Sequence, residues 1–183
     1  GDMRFVDVNG DGQITDDDRT NIGNGTPDWT FGLTLNAEWK GIDLSLFFQG
    51  VSGVDVFDAT YRQDVSSGNY PTWVLDRWTG EGTSNRVPTL GDSKNWVVSD
   101  LYIQDGSYLR LKNITLGYTL PRQLTQKIRI DRLRFYVRAE NLFTWTKYWG
   151  FDPEIGTSST SLGVDYGVYP QARTWTIGCN ISL

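Results

Sequence analysis

A short acidic stretch near the beginning of the chain has the residue spacing of a calcium-binding loop of the EF-hand type. Within positions 7 to 18, oxygen-bearing side chains stand at the first, third, fifth and twelfth places, and Gly12 stands where such loops turn sharply. The residue at the seventh place can contribute its backbone carbonyl. We therefore predict a bound Ca²⁺ ion whose ligands are Asp7, Asn9, Asp11, Asp18 and the carbonyl of Gln13.

The last of these ligands departs from the usual pattern, because EF-hand loops end on the longer glutamate where this chain has Asp18. An acidic, solvated turn without metal is therefore the alternative interpretation. The residues on either side of the motif indicate loop rather than two long helices. A calcium ion at this position would accordingly be a structural clip and not a sensor.

Aromatic side chains form a second candidate site in the long stretch between residues 50 and 106. Aromatic faces can stack on sugars or hold the loops of a partner protein. The alternative is that these rings pack the loop against itself or against a lid protein. The candidate residues for contact with a substrate or partner are Tyr61, Tyr70, Trp73, Trp78 and Trp96.

Catalysis is not indicated by the sequence. The chain has no histidine, which is the commonest general base and transition-metal ligand. The carboxylates from Asp16 to Asp18 are explained by the metal motif, and no further signature accompanies Asp152 and Glu154. We therefore predict that the protein is not an enzyme. The net charge of -5 also argues against a nucleic-acid partner, which requires a basic surface.

The elements that must position these residues are strands, because apolar and polar side chains alternate with a period of two. In the first predicted hairpin, a two-residue turn at Lys40-Gly41 pairs Trp39 with Ile42 and places both apolar sets on one face. The prediction is all-β with five antiparallel strands. Two of them form the hairpin over 29–49, and the others occupy about 107–120, 132–146 and 173–183.

These strands fit either the wall of a transmembrane β-barrel or a soluble, secreted carbohydrate-binding β-sandwich with a calcium loop. No apolar run approaches the roughly 18 residues of a transmembrane helix. Strands of about ten residues suit a tilted membrane crossing, whereas sandwich strands are shorter. Arg134, Arg138 and Glu140 on the polar face of one strand suit a water-filled lumen, and aromatic residues at strand ends fit interfacial girdles. These features favour the barrel.

In the barrel interpretation, one apolar set faces lipid and its polar neighbours face the lumen, since a one-residue slip would invert a whole strand. The predicted outward set is Trp29, Leu33, Leu35, Leu44, Leu46, Leu116, Phe135, Val137, Ile177 and Ile181. The predicted inward set is Thr34, Asn36, Thr115, Arg138 and Thr176.

The connections alternate between short and long, as in outer-membrane barrels with short periplasmic turns and long extracellular loops. Such barrels end their last strand in the periplasm, so counting back from Leu183 predicts the orientation. The predicted extracellular loops are 1–28, with the calcium motif, 50–106 and 147–172. The turn at Lys40-Gly41 and the connection from Pro121 to Asp131 are predicted to be periplasmic.

Five segments in the same order resemble the SusC/RagA family of TonB-dependent outer-membrane transporters, and together they cover nearly the whole chain. They are GDMRFVDVNGDGQITDDDR (1–19), WKGIDLSLFFQGVSGVDVFD (39–58), YIQDGSYLRLKNITLGYTLP (102–121), AENLFTWTKYWGFDPEIG (139–156) and GVDYGVYPQARTWTIGCNISL (163–183). The resemblance implies that 1–183 is the C-terminal part of a longer transporter. It would supply the last five strands of a barrel of about 22 strands.

The resemblance also implies partners and a location in the bacterial outer membrane. A SusD-like surface lipoprotein would cover the barrel, and the pair would import oligosaccharides or peptides. The plug, the remaining strands and the contact with TonB–ExbB–ExbD would lie outside this chain. Residues 176–183 resemble the signal that the barrel-assembly machinery reads on a terminal strand, with Leu183 in place of the commoner phenylalanine.

Overall fold

The five predicted long strands form one antiparallel sheet in the computed structural model, which describes residues 1–60, 69–91, 93–95, 97–155 and 161–183. Three shorter strands lie in the connections. In chain order the strands are β1 (Trp29–Trp39), β2 (Ile42–Ser52), β3 (Asp55–Asp58), β4 (Ile103–Asp105), β5 (Tyr108–Thr119), β6 (Arg132–Thr146), β7 (Val164–Asp165) and β8 (Thr174–Ser182). The large sheet has the order β1-β2-β5-β6-β8, so each strand pairs with the next long strand of the chain.

Helical structure is limited to short pieces. Among the described residues, a single α-helical turn, α1, lies between β5 and β6 together with a 3₁₀ turn. The helical segments are α1 (Arg122–Thr125) and 3₁₀ turns at Asp16–Asp18, Thr72–Asp76, Ser93–Asn95, Asp100–Tyr102 and Gln126–Ile128. None of the helices in the described part of the chain is both long and apolar enough to cross a membrane.

The first hairpin turns at Lys40 and Gly41, as the sequence predicts. Trp39 pairs with Ile42, and both turn residues have positive φ angles of 47° and 83°. Positive φ at both central positions is the geometry of a type I′ turn, whose twist matches that of the flanking strands. The turn is also held from the next strand, because the N–H of Thr119 donates to the Gly41 carbonyl at 2.7 Å.

The strand register confirms that the predicted apolar set shares one face of the sheet. One continuous row consists of Ala37, Leu44, Leu116, Val137 and Ile177, each paired with the next. The adjacent row of Asn36, Ser45, Thr115, Arg138 and Thr176 lies on the opposite, polar face. The phase inferred from alternation is therefore correct for these residues of all five long strands.

Nothing in the described structure packs against the apolar face of this sheet. Trp29 is 74 % exposed, Leu116 53 % and Ile177 83 %. A β-sandwich would bury such a face under a second sheet. The described sheet therefore does not show the packing of a sandwich, and its exposed apolar face indicates an apolar environment.

A β-bulge at Lys112 reverses the alternation within β5. Residues 47 and 48 of β2 are consecutive, yet they pair with Asn113 and Leu111, so Lys112 has no partner in β2. By strict alternation Arg110 would lie on the apolar face with Ile114. The extra residue moves Arg110 to the polar face instead.

The two long connections are joined to each other by a second sheet with the order β4-β3-β7. β3 pairs in parallel with β7, so that Phe57 stands beside Val164. The alternation pattern predicts only loop structure over 50–106 and 147–172 and ends the first hairpin at residue 49. The structure extends β2 to Ser52 and places β3, β4 and β7 in those loops, because pairing between distant segments leaves no local alternation to detect.

The hydrophobic core lies in these connections rather than under the large sheet. Val74 and Tyr102 are buried at its centre. The partly buried residues packed around them are Phe57, Tyr70, Trp73, Leu90 and Leu101. The connections therefore fold as a packed body at one end of the large sheet.

Candidate functional site

The predicted calcium motif folds into a small loop whose acidic side chains face its own backbone. Asp7 accepts hydrogen bonds from the N–H groups of Gly10 at 2.6 Å and Gly12 at 2.8 Å. Both glycines have positive φ, 77° and 82°, which allows the tight turn. Asp11 accepts from the N–H of Gln13 at 2.8 Å.

Asp18 closes the same loop from its other end. Its carboxylate accepts hydrogen bonds from the N–H groups of Val8 and Thr15, each at 2.8 Å. The Thr15 N–H, followed by smaller contributions from Val8, Asn9 and Asp7, lowers the pKa of the Asp18 carboxyl. These bonds favour the ionised form of Asp18, which is the form that a cation would bind.

The structure brings the predicted ligands into one loop. Within the described residues, no three carboxylate, histidine or cysteine side chains are grouped closely enough to hold a metal ion. Three of the five predicted ligands are carboxylates, and Asn9 and the Gln13 carbonyl supply the other two oxygen atoms. Calcium binding at this loop stays a prediction.

Both ends of this segment are fixed to the packed connections. The N–H of Met3 donates to the side chain of Asn95 at 2.8 Å, and Asn95 is fully buried. At the other end, the N–H of Asn24 donates to Asp55 at 2.9 Å. The calcium motif therefore projects as an exposed loop between two anchored ends.

The aromatic candidates that the structure describes contribute to packing. Tyr70 and Trp73 pack against the buried core of the connections. Trp73 also makes an edge contact with Trp149, with ring centroids 5.1 Å apart. Trp78 lies beside Gly1, where an added Cβ would stand 2.3 Å from its ring. Packing among the connections and the N-terminal segment is therefore the role that the contacts support for these three residues.

Two of the aromatic candidates lie outside the described residues. These are Tyr61 and Trp96. Contact of any member of the set with a substrate or partner stays a prediction.

A buried charge cluster that the sequence analysis did not identify ties the second long connection to the sheet. Arg110 is only 2 % exposed, and its guanidinium binds Asp152 at 2.5 Å and Glu154 at 2.7 Å. Lys112 binds Glu154 as well, at 2.7 Å. The Nε of Arg110 donates to the hydroxyl of Thr144 at 2.9 Å. We refer to Arg110, Lys112, Asp152 and Glu154 as the charge cluster.

The bulge at Lys112 is what makes this cluster possible. Without the extra residue, strict alternation would direct Arg110 toward the apolar face. In the sequence, the only visible sign of this cluster is the pair of carboxylates Asp152 and Glu154, and a pair of carboxylates does not by itself indicate an ion pair. Their cationic partners are 42 residues away, a distance that local patterns do not bridge.

A second buried network holds the beginning of the same connection, at Tyr148, to β7. The hydroxyl of Tyr148 donates to Asp165 at 2.5 Å, and Asp165 also accepts from the N–H groups of Gly167 and Val168. Asp165 is 1 % exposed. Burial, followed by the bond to Asp165, raises the pKa of the Tyr148 phenol, so the phenol keeps its proton and remains a donor.

On the polar face of the sheet, an ion pair crosses from β6 to β2. Arg134 donates through Nε and Nη2 to the two carboxylate oxygens of Asp43, at 2.7 and 2.5 Å. The intervening strand β5 contributes Gly117 at this position. A polar face of this kind opposite an exposed apolar face is the arrangement of a barrel wall between lipid and a wet lumen.

Comparisons with known proteins agree with this arrangement. The chain is 37 % identical to TonB-dependent receptor P3 of Formosa agariphila over 98 % of its length, and 30 % identical to TonB-dependent receptor SusC of Bacteroides thetaiotaomicron, also over 98 %. A solved structure of the RagAB peptide importer in the open-open state matches 93 % of the chain with a TM-score of 0.77 and 33 % identity. No family model matches the chain.

The fold and its two faces define the wall of an outer-membrane β-barrel. The chain belongs to the SusC/RagA family of TonB-dependent receptors and corresponds to their C-terminal part. It spans about a fifth of the length of these relatives, 19 % of receptor P3 and 17 % of SusC. The predicted outer-membrane location is confirmed, and the relatives are receptors and importers rather than enzymes.

Proposed function

We propose that this chain forms one side of the lumen and part of the extracellular surface of a nutrient importer. The importer acts with a SusD-like surface lipoprotein, takes up oligosaccharides or peptides, and is driven by TonB–ExbB–ExbD through segments outside this chain. The observation that carries the proposal is that nearly the whole chain matches both SusC and the RagAB peptide importer. The polar face provides a hydrated wall for such a substrate.

The remainder of the barrel is the first partner in this proposal. In the described structure β1 pairs only with β2, and β8 pairs only with β6. Both outer strands therefore present unpaired N–H and C=O groups, which cannot stay exposed within a bilayer. We propose that strands from the rest of the transporter pair with both edges.

The lipoprotein is the second partner, and the exposed part of the second long connection is its proposed contact. Phe151, Tyr166 and Tyr169 are 72 %, 74 % and 86 % exposed. Exposed aromatic residues are common at protein interfaces, where each buries a large area at low entropic cost.

Uptake should depend on the full-length transporter that contains this chain. Deleting its gene should abolish growth of the native host on the transported oligosaccharide or peptide as sole source. Growth should return with the intact gene and not with a copy that lacks the TonB-contacting segment. The lipoprotein should copurify with the intact transporter in mild detergent. Normal growth of the deletion strain on both substrate classes would contradict the proposal.

The orientation of the chain is also a proposal, and surface labelling tests it. In a Cys179→Ala background of the full-length protein, cysteines at Thr15 and Glu81 should react on intact cells with a membrane-impermeant maleimide. A cysteine at Gln126, in the predicted periplasmic connection, should react only after the cells are lysed. Both extracellular positions are exposed in the structure, so access does not limit the reaction. The reverse pattern would overturn the topology.

We also propose that Ca²⁺ binds the loop of Asp7, Asn9, Asp11, Asp18 and the Gln13 carbonyl. The support is the EF-hand spacing and the depressed pKa of Asp18, which keeps this ligand ionised. The carboxylates accept these backbone hydrogen bonds with part of their lone pairs, and the remaining lone pairs would be directed to a central ion. Ligand oxygens would then stand at about 2.3–2.6 Å from the metal.

Chelation should open this loop if the ion is present. Treatment of outer membranes with a calcium chelator should increase protease cleavage between residues 4 and 22, and added Ca²⁺ should reverse the effect. Asp7→Ala with Asp11→Ala should show the same cleavage with or without calcium. Asp2→Ala, outside the predicted ligand set, serves as the control and should behave like the unaltered protein. Unchanged cleavage after chelation would show that the loop is not a calcium clip.

A further inference from the structure

Two glycines stand on either side of Tyr136 in one row of the lumenal face. Gly117 of β5 and Gly178 of β8 are the residues paired with Tyr136 from the neighbouring strands. A Cβ added to Gly178 would stand 2.6 Å from both Cζ and the hydroxyl oxygen of Tyr136. Real Cβ atoms do not approach other atoms so closely, so the Tyr136 ring occupies the space that a side chain at Gly178 would need.

The other glycine is covered by Arg134. A Cβ on Gly117 would stand 2.5 Å from Nη2 of Arg134 and 2.5 Å from a carboxylate oxygen of Asp43. The Arg134 guanidinium also lies 5.1 Å from the centroid of the Tyr136 ring, within range of a cation–π contact. Asp43, Arg134 and Tyr136 thus form a connected row of side chains, the brace, that extends over β5 and β8.

Backbone pairing and the alternation of apolar and polar residues do not by themselves fix the register of β8 on β6. A side-chain contact between the two strands can fix it. A slip by one residue would exchange its two faces and is strongly disfavoured. A slip by two residues would keep Ile177 and Ile181 facing lipid. It would, however, place Thr176 or Asn180 opposite Tyr136, and either side chain would collide with the ring as it lies over β8.

We propose that Tyr136 and Gly178 form a register key that aligns β8 on β6 while the barrel assembles, with Asp43 and Arg134 holding the ring in place. Gly178 also lies in the segment that resembles the signal for the barrel-assembly machinery. In this proposal the missing side chain at Gly178 serves packing against Tyr136, and its role is separate from recognition by that machinery. The inference depends on the barrel wall and not on the transported substrate.

A double-mutant cycle in the full-length transporter distinguishes these roles of Gly178. The measured quantity is the amount of folded protein in the outer membrane, identified by its altered migration on unheated gels. Gly178→Ala should lower this amount about fivefold or more, because the added methyl displaces the ring. Gly32→Ala is the matched control, since its methyl would meet Phe47 at 3.4 Å, an ordinary contact, and should leave assembly unchanged.

The decisive variant combines Gly178→Ala with Tyr136→Ala. If the key acts through packing, the double variant should assemble no worse than Tyr136→Ala alone, because the methyl has no ring to displace. Gly178→Ala with Tyr136→Phe keeps the ring and should stay as defective as Gly178→Ala. If the losses of the two single alanine variants multiply in the double variant, the glycine acts independently of Tyr136 and the proposal is overturned. Normal assembly of Gly178→Ala would overturn it equally.

Discussion

Replacing Arg110 with methionine should release the connection from 147 to 172 from the barrel wall. Asp152 would stay buried without its closest cationic partner, and Glu154 would keep only Lys112. Breaking a buried ion pair by removing one partner typically costs about 3–5 kcal/mol. Amide hydrogens in this connection, such as that of Gln171, which donates to Asp152, should exchange about a hundredfold faster or more.

Hydrogen exchange measured by mass spectrometry on the full-length transporter would check this expectation. Arg122→Met is the matched control, because the side chains of its ion pair with Asp131 are 70 % and 63 % exposed. Exposed pairs contribute about 0–1 kcal/mol, so exchange should hardly change. Adding Asp152→Asn to Arg110→Met should recover part of the protection, since the unpaired charge is removed. Unchanged exchange in Arg110→Met would show that the charge cluster does not hold the connection.

Introducing an arginine on the lipid face should destabilise the barrel strongly, whereas the same change one residue away should not. Leu46 lies on the apolar face between Leu35 and Ile114. An arginine at the lipid midplane of a barrel costs about 2–4 kcal/mol. Leu46→Arg should therefore lower the free energy of unfolding of the full-length transporter in lipid vesicles by that amount.

Ser45→Arg is the control for this experiment. Ser45 pairs with Asn36 and Thr115 on the lumenal face, where a charged side chain stays hydrated. Its effect on the free energy of unfolding should fall within about 0.5 kcal/mol, as for most surface substitutions. Similar losses for Leu46→Arg and Ser45→Arg would mean that the two faces do not have the environments assigned to them.

The calcium loop shows what the spacing of residues can predict and what it cannot. The residue types and their order predicted a tight acidic loop, and the structure contains one, with both glycines at positive φ. Spacing could not show that Asp7, Asp11 and Asp18 accept hydrogen bonds from the loop's own backbone N–H groups. The arrangement around a metal depends on side-chain rotation, which the order of residues does not specify.

The aromatic residues of the first long connection show a similar limit of prediction from sequence alone. Composition identified Tyr70 and Trp73 as candidates for outside contact, yet both pack in the small core of the connections. An aromatic ring suits a core and a binding surface equally well. Which of these it serves depends on neighbours such as Trp149, which lies far away in the sequence.

By itself the sequence determined the long strands, their phase and the family. Alternation with a period of two is a local property, and the turn at Lys40-Gly41 fixes the register of the first hairpin through two residues. The same pattern predicted β6 correctly, because its bounds at Arg132 and Thr146 match the prediction.

Only the tertiary structure decided which distant segments contact each other. The bulge at Lys112 inverts the alternation of β5 and places Arg110 in the lumen, where it binds carboxylates 42 and 44 residues away. Pairing of β3 with β7 and packing of Tyr136 over Gly178 are likewise contacts between distant segments, and such contacts form only when the sheet has brought those segments together.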